Sequence, residues 1–388
     1  MRTILVTGAT GRVGRHVVAG LRAAGVSVRA LVRTPESAGL PSDVELIQGD
    51  ITDPSAVRRA AENVDAAFLL WPSFSADGAA AVVRELPRRV VYLSSLSAPS
   101  GGVWGDVEQL LKDNDWTFVR PSGFAVNAQN WAGDFRTGDV VRVASPEAGR
   151  SMIHERDIAA VAVLTLLDDH HIGRTYDITG PEVLTQTEQI RTIARTIGKP
   201  MRVEALSDDA ARQAMLDLGA DPVLAESSVA YWSSLVDNPE PVTTTVSELT
   251  GQPARTFAEW ATEHAAEFRV PTTAEVAQRY TNALAAGRLN DALALTAPDM
   301  VRVAPLETNG EEIEVKGTDA ILENARRQTA DIEYDAVDVL GPLVTDDHFA
   351  IRFTFHHGGT HTTKLSLCTV DTGRITREEV FYYTPAHT

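Results

Sequence analysis

A glycine-rich stretch close to the amino terminus constrains the fold of this chain more than any other feature. It follows the apolar run Ile4-Leu5-Val6 and reads Thr7-Gly8-Ala9-Thr10-Gly11-Arg12-Val13-Gly14. Gly8 permits a sharp turn from strand to helix, Gly11 allows an anion to approach the backbone, and Gly14 allows the helix to pack tightly on the strand. Because free N–H groups at a helix start attract phosphate, the stretch predicts a dinucleotide site, with a ligand-free βα turn as the alternative. The residues expected to line the site are Gly8, Thr10, Gly11, Arg12, Val13 and Gly14.

Composition narrows the classes of partner. The chain has 388 residues and a formal charge of −18, which opposes binding to the phosphate backbone of nucleic acids. Cys368 is the single cysteine, so neither an internal disulfide nor a thiolate metal site is available, and we expect no metal. No apolar run reaches membrane-spanning length, and no signal peptide is visible. We therefore expect a cytoplasmic protein of two or three domains that binds neither nucleic acid nor membrane.

Short apolar runs alternate with amphipathic helical segments up to about residue 125. The predicted strands are 3–6, 27–32, 44–48, 66–70, 90–93 and 117–119. This alternation is typical of βαβ units, so we predict an α/β Rossmann domain with a parallel, doubly wound sheet. Ligands of such sheets bind beyond the carboxyl ends of the strands, so the residues that close each strand are candidates for binding.

The residues that close the predicted strands favour the phosphorylated dinucleotide NADP(H). Arg33 follows the second strand, where an arginine suits a 2′-phosphate; a solvated surface arginine is the alternative. Asp50 and Ile51 end the third strand and are expected near the adenine. Leu70-Trp71-Pro72 and Ser94 end the fourth and fifth strands, at the nicotinamide end. For the Trp71 ring, packing in the core is the alternative to stacking on nicotinamide or substrate.

Two further regions follow the βαβ pattern. Residues 151–268 are mainly helical and lie where a substrate-covering lobe is expected. Val270-Pro271-Thr272-Thr273 interrupts the helical pattern, and the helices and period-2 strands beyond it predict a separate α+β domain. We therefore predict a dinucleotide-binding domain at 1–269, with its lobe at about 151–268, and a second domain at 273–388.

Dispersed pieces of the first two-thirds of the chain match a known family in the right order. They are 7–14, 31–33, 49–50, 68–72, 93–95, 116–124 with Asn127, and 176–181. On these pieces the chain resembles the NmrA-like atypical short-chain dehydrogenases, a match far more specific than one glycine loop. The resemblance implies a Rossmann domain that binds NADP(H), a small lobe over the substrate, and NAD(P)H-dependent oxidoreductase activity.

One departure from this family concerns the proton donor. Typical short-chain dehydrogenases use the tyrosine of a Tyr-x-x-x-Lys motif, but the corresponding stretch here begins with Trp104 and ends with Glu108. Tryptophan transfers no proton, and a glutamate in place of the lysine raises the pKa of a neighbouring acid. Ordinary alcohol–ketone chemistry is therefore disfavoured. Hydride transfer to a quinone, which takes its proton from solvent, and cofactor sensing without catalysis both stay open.

The carboxy-terminal third carries a second set of matches, at 278–287, Asp291, 297–299, 315–317 and 373–383. On these stretches it resembles the SnoaL-like branch of the nuclear-transport-factor-like superfamily, which implies a cone of curved sheet and helices around an apolar pocket. Tyr280 takes the place of the oxyanion tyrosine of the related ketosteroid isomerases. Ala304 takes the place of their general base, so steroid isomerisation is disfavoured. The closing strand directs Glu378 inward, which predicts a pKa raised by burial; a solvent-facing or salt-bridged Glu378 is the alternative.

Together the two resemblances imply a two-domain enzyme. A reductase that uses NADPH on an aromatic, quinone-type small molecule would be fused to a SnoaL-like cyclase or cofactor-free hydroxylase of polyketide-type secondary metabolism. Tyr280 and Glu378 would be the catalytic residues of that second domain. The alternative is a non-enzymatic NADP(H) sensor whose second domain serves dimerisation or ligand binding, and a homodimer stays open in both cases.

Overall fold

The chain divides into two compact units, Met1–Phe268 and Arg269–Thr388, which we call the first unit and the second unit. The computed structural model describes residues 2–217, 219, 221–305, 312–329 and 336–383. Among these residues, none of the helices combines the length and the apolar character that crossing a membrane requires.

The first unit alternates strands and helices along most of its length. Its strands are β1 (Thr3–Thr7), β2 (Ser27–Val32), β3 (Glu45–Gln48), β4 (Ala66–Leu70), β5 (Arg89–Leu93), β6 (Asp115–Pro121), β7 (Val140–Ala144), β8 (Gly149–Arg150), β9 (Arg174–Ile178), β10 (Leu184–Thr185) and β11 (Arg202–Leu206). Its α-helices are α1 (Gly14–Ala23), α2 (Pro54–Ala61), α3 (Ala79–Val83), α4 (Val103–Leu110), α5 (Ala132–Thr137), α6 (Glu155–Leu167), α7 (Gln186–Ile197), α8 (Asp208–Asp217), α9 (Pro222–Asp237), α10 (Thr245–Thr250), α11 (Phe257–Glu263) and α12 (Ala265–Phe268).

A seven-stranded parallel sheet organises the first unit, in the order β3-β2-β1-β4-β5-β6-β9. The strand order reverses beside β1, where the next strand along the chain, β2, lies on one side and β4 on the other. The predicted Rossmann domain is therefore confirmed. The reversal places a crevice at the carboxyl ends of β1 and β4, the usual ligand position in such sheets.

Both faces of this sheet are covered, and its central strands β1 and β4 are apolar on both sides. Ile4, Val6 and Phe68 pack with α1 and α6 on one face, whereas Leu5 and Leu69 pack with α2 and α3 on the other, all fully buried. Burial of a side chain of this size contributes about 1.5–3 kcal/mol relative to exposure. The sheet is thus a rigid platform for the turns at its carboxyl edge.

The remaining part of the first unit has an apolar core of its own, formed by β7, α5, α7, α11 and α12. The Trp260 ring is fully buried between the rings of Phe257 and Phe268. A capping box of Thr185 and Glu188 begins α7, and Gly198 ends the helix in a left-handed conformation. This lobe is the part of the unit that the sequence pattern places over a substrate.

The second unit consists of helices and a single mixed sheet. Its helices are α13 (Thr273–Ala285), α14 (Leu289–Leu293) and α15 (Thr318–Thr329). Its strands are β12 (Thr296–Pro305), β13 (Glu312–Lys316), β14 (Ala336–Val344), β15 (His348–His357), β16 (Thr360–Asp371) and β17 (Arg374–Tyr383). They pair in the order β13-β12-β17-β16-β15-β14, and α13 packs on the inner face, where Tyr280 meets the Phe349 ring edge-on. The predicted α+β class is confirmed.

Candidate functional site

The glycine-rich turn forms a close-packed cradle at the start of α1. Gly8 has φ +63°, and its carbonyl oxygen accepts a hydrogen bond from the Gly11 N–H at 2.9 Å. A Cβ at Gly14 would lie 2.0 Å from that same oxygen, so only glycine fits there. Among the described residues no side chain caps the start of α1, which leaves its positive end open to an anion, although the Arg15 and His16 N–H groups donate to the Gly11 and Val13 carbonyls. These features fit the pyrophosphate of a dinucleotide.

The other residues of the turn are either exposed at its edge or buried behind it. Thr10 and Arg12 are exposed, whereas Val13 is buried in the core. The Arg12 Nη1 donates to the Val126 carbonyl at 3.5 Å, so the rim of the turn touches the segment that follows β6. Behind the turn, the Thr7 hydroxyl accepts from the Leu70 N–H at 2.8 Å and ties β1 to β4. The Leu70 side chain lies against Gly8, half-buried at the crevice.

Arg33 and Asp50 lie at the neighbouring strand ends. The Arg33 side chain is exposed beyond β2 and has no hydrogen-bond or ion-pair partner among the described residues. The Asp50 carboxylate accepts from the Thr52 N–H at 2.9 Å and its hydroxyl at 2.8 Å. These bonds, together with nearby Arg33, hold the pKa of Asp50 below its ordinary value. Asp50 thus shapes the loop, half-buried Ile51 packs on the core, and Arg33 is left with its donors free.

The side chains of Trp71 and Pro72, which follow Leu70 at the end of β4, lie in different environments. The Trp71 ring is only 6% exposed and packs in the core under α3, and its Nε1 donates to the Ser75 carbonyl at 2.8 Å. This position favours the core-packing interpretation of Trp71 over stacking on a ligand. Pro72 is exposed just beyond it.

A buried polar network lies below the expected nicotinamide end. Ser94 donates from Oγ to the Glu108 Oε1 at 2.6 Å, and Arg120 donates to both carboxylate oxygens, at 2.8 and 2.5 Å. Glu108 is 3% exposed. Sequence reasoning placed Ser94 and Glu108 near this end but missed Arg120 on β6. The signal was available, because a buried carboxylate requires a cationic partner.

No tyrosine–lysine pair exists within the described part of the first unit. Its two lysines are engaged elsewhere, Lys112 over the Trp116 ring and Lys199 with the Phe135 carbonyl. Tyr176 bonds to His171, and Tyr231 donates to Glu240. Tyr92 is fully buried, and burial followed by the charge of Glu108 raises its pKa. Half-buried Trp104 meets the Phe74 ring edge-on and offers no transferable proton.

A second polar cluster lies inside the second unit, centred on Glu378. This carboxylate is 1% exposed and accepts from the Ser366 hydroxyl at 2.7 Å and the Lys364 ammonium at 3.2 Å. Arg302 lies 3.5 Å from its other oxygen, and the Tyr280 hydroxyl donates to that oxygen at 3.5 Å. The inward direction of Glu378 is as expected from the sequence.

The expected pKa of Glu378 is wrong in sign. Burial alone would raise it, but Lys364 and then Arg302 outweigh burial and lower the pKa to about 2. Glu378 is therefore an ionised counter-ion and a weak base, whereas burial and the Glu378 charge raise the pKa of Tyr280. Sequence reasoning missed Lys364 and Arg302, which lie on other strands and meet Glu378 only through sheet register.

Family models match both units. A model described as NAD(P)H-binding matches residues 8–104, and one described as a SnoaL-like domain matches residues 276–378. The (4-alkanoyl-5-oxo-2,5-dihydrofuran-3-yl)methyl phosphate reductase of Streptomyces griseus is 38% identical over 279 residues, which cover 68% of this chain and 99% of that protein. The NAD(P)H azoreductase of Xenophilus azovorans is 33% identical over 282 residues, with coverages of 68% and 99%.

A solved structure gives the same fold for the first unit. The NADPH complex of the NADPH-dependent quinone oxidoreductase of Escherichia coli superposes with a TM-score of 0.58 at 23% identity. The superposition covers 67% of this chain and 99% of that one.

The doubly wound sheet and the glycine cradle at α1 define a dinucleotide-binding protein of the Rossmann class. The chain belongs to the family of NAD(P)H-dependent reductases that includes the two relatives above, and it carries a SnoaL-like domain after its Rossmann domain. Its cofactor is NAD(P)H, and the cradle at Gly8, Gly11 and Gly14 fits the pyrophosphate of that group.

Proposed function

We propose that the first unit reduces a conjugated acceptor, such as a quinone, with hydride from NADPH. The observation that carries this proposal is the Ser94–Glu108–Arg120 network in the place of a tyrosine–lysine acid. A simple ketone needs a proton donor as hydride arrives, because negative charge builds up on one oxygen. A quinone spreads that charge over its ring and takes its proton from water afterwards. The activities of the relatives, an azoreductase and a reductase of a dihydrofuranone, are consistent with acceptors of this type.

The residues of the chain then bind and orient rather than exchange protons. The turn from Gly8 to Gly14 holds the pyrophosphate, and NADPH supplies the hydride when bound. The Ser94 hydroxyl donates its one hydrogen bond to Glu108, so only its acceptor capacity remains for another group. Ser94 is therefore suited to accept from an amide such as that of nicotinamide, and not to donate to a substrate oxygen.

We also propose that the cofactor is NADPH in preference to NADH. Arg33 supports this, because its exposed guanidinium at the end of β2 has no competing partner among the described residues. The Asp50 carboxylate already accepts two hydrogen bonds from Thr52, which, followed by the charge of Arg33, lower its pKa. The Arg33 fork is thus free for a 2′-phosphate.

For the second unit, we propose a cyclase, or a cofactor-free hydroxylase that uses dioxygen as its oxidant, acting on the same aromatic class of molecule in polyketide-type secondary metabolism. The SnoaL-like match and the buried cluster support this proposal. Tyr280 and Glu378 are its polar groups, with Glu378 as the charge that positions Lys364. Tyr280→Phe and Glu378→Gln should each lower conversion of 1,4-dihydroxynaphthalene about tenfold or more, while NADPH oxidation is unchanged. Parental conversion in both variants would exclude these two residues.

The second candidate is an NADP(H) sensor, which the missing tyrosine–lysine pair also favours. NADPH oxidation with 1,4-naphthoquinone separates the two candidates. Turnover that is lost in Gly14→Ala, where a Cβ meets the Gly8 oxygen, supports the reductase. Gly133→Ala is the matched control, because its Cβ would meet no atom within 4 Å. Binding of NADPH without turnover would favour the sensor.

A further inference from the structure

Two cations share one carboxylate inside the second unit. Arg302 and Glu378 are direct cross-strand partners on β12 and β17, and Lys364 reaches the same carboxylate from β16. The three side chains are only 10%, 2% and 12% exposed, in that order. Buried charges are costly unless they are paired, and here a single carboxylate serves two cationic side chains.

The hydrogen bonding of Arg302 is incomplete. Its Nε is buried and makes no hydrogen bond to a described residue, although it lies within ion-pair distance of Glu378, at 3.5 Å. Glu378 does not satisfy it, because one carboxylate oxygen accepts from Ser366 and Lys364, and Arg302 stays 3.5 Å from the other. An arginine in this state presents the planar fork that binds oxyanions.

Aromatic groups flank the cationic pair. The Lys364 Nζ lies 5.7 Å from the centre of the Phe353 ring, and Tyr280 covers the cluster from α13. Tyr382, the cross-strand partner of Lys364, is 43% exposed, so the inner face meets solvent at this end of β17. A flat ring with an attached oxyanion would find apolar surface and a cation together.

We propose that the second unit selects ionised aromatic ligands, phenolates or enolates, and that Arg302 binds their oxyanion. This proposal rests on the function proposed above for the second unit and names its ligand class. Arg302 forms charge-assisted hydrogen bonds to the ligand oxygen while Lys364 keeps Glu378 paired. The aromatic ring of the ligand lies against Phe353 and Tyr382.

Calorimetric titration of the full chain, saturated with NADP⁺, tests the proposal with a matched pair of probes. These are 2-hydroxy-1,4-naphthoquinone, ionised at neutral pH, and 2-methoxy-1,4-naphthoquinone, a neutral molecule of nearly the same shape. The anion should bind about tenfold tighter or better, as one charge-assisted bond requires. Arg302→Met should remove that advantage and leave the neutral probe unaffected, whereas Arg302→Lys should keep part of it. Arg352→Met, an exposed arginine on the other face of the same sheet, is the control.

The outcomes separate this proposal from the reductase assignment. Equal affinity for the two probes in the natural protein overturns the proposal, and this comparison needs no variant to fold. An anion preference that survives in Arg302→Met also overturns it, because the preference then arises elsewhere. NADPH oxidation with 1,4-naphthoquinone is measured on the same samples. If NADPH oxidation is absent while the Arg302-dependent preference for the anion is present, the reductase assignment is refuted and the anion site is supported.

Discussion

Glu108 of α4 and Arg120 of β6 form a two-bond ion pair, at 2.8 and 2.5 Å, below the strand end that carries Ser94. The pair occupies the place where the motif of typical short-chain dehydrogenases has its lysine. The Ser94 hydroxyl donates to this carboxylate, and burial followed by the charge of Glu108 raises the pKa of Tyr92. The reaction proposed for the first unit follows from this arrangement.

Breaking this pair should destabilise the first unit. Arg120→Met leaves the Glu108 charge buried without a partner, which should cost about 3–5 kcal/mol of unfolding free energy. Urea unfolding followed by tryptophan fluorescence measures the loss, since all six tryptophans lie in the first unit. Arg58→Met is the control, because Arg58 makes the same two bonds to Glu85 at the surface, both at 2.8 Å. A comparable loss in the two variants would contradict the burial argument.

Arg33 should set the preference for NADPH. Arg33→Ala removes a charge-assisted contact to the 2′-phosphate, so NADP⁺ should bind about tenfold or more weakly, with NAD⁺ affinity unchanged. Titration calorimetry with both cofactors measures this. Arg59, exposed on α2, supplies a control arginine for the same substitution. If Arg33→Ala keeps the preference for NADP⁺ over NAD⁺, Arg33 is a solvated surface residue that does not bind the cofactor.

Acid should remove the stabilising effect of Glu378. Its pKa of about 2 in the folded protein lies below the ordinary 4.5, so its contribution is complete above the ordinary value and is lost as pH falls towards 2. The difference in stability between the natural protein and Glu378→Gln should therefore shrink below about pH 4.5. Calorimetric unfolding across this range measures it. Glu379→Gln, at the adjacent outward position, should show a smaller change with pH. A larger change in Glu379→Gln than in Glu378→Gln would be inconsistent with the buried pairing of Glu378.

The second unit should fold by itself when the chain is divided between Phe268 and Arg269. A fragment of residues 269–388 keeps the bond from Arg269 Nη1 to Glu275 at 2.7 Å and the capping box at Thr272. It should unfold cooperatively on heating. A fragment from residue 276 loses the cap and should be about 1 kcal/mol less stable. A molten 269–388 fragment would show that the two units fold as one.

Local patterns were enough to predict the Rossmann domain, the α+β unit and the glycine cradle. The spacing of Gly8, Gly11 and Gly14 encodes a backbone geometry that no distant residue has to complete. Arg120, Lys364 and Arg302 escaped prediction because strand register, not sequence spacing, brings them to a buried carboxylate. The predicted direction of the Glu378 pKa shift was wrong for the same reason, because the sequence pattern indicated burial but did not indicate the two neighbouring cations.

The pH dependence of hydride transfer to a quinone tests the central claim most directly. The measurement is the single-turnover rate of NADPH oxidation by 1,4-naphthoquinone between about pH 6 and 10, the range in which a tyrosine–lysine pair would titrate. With no tyrosine–lysine pair in the described part of the first unit, the rate should be flat across this range, and simple ketones such as cyclohexanone should not be reduced. A rate that falls with the ionisation of one group, together with rapid ketone reduction, would contradict the account.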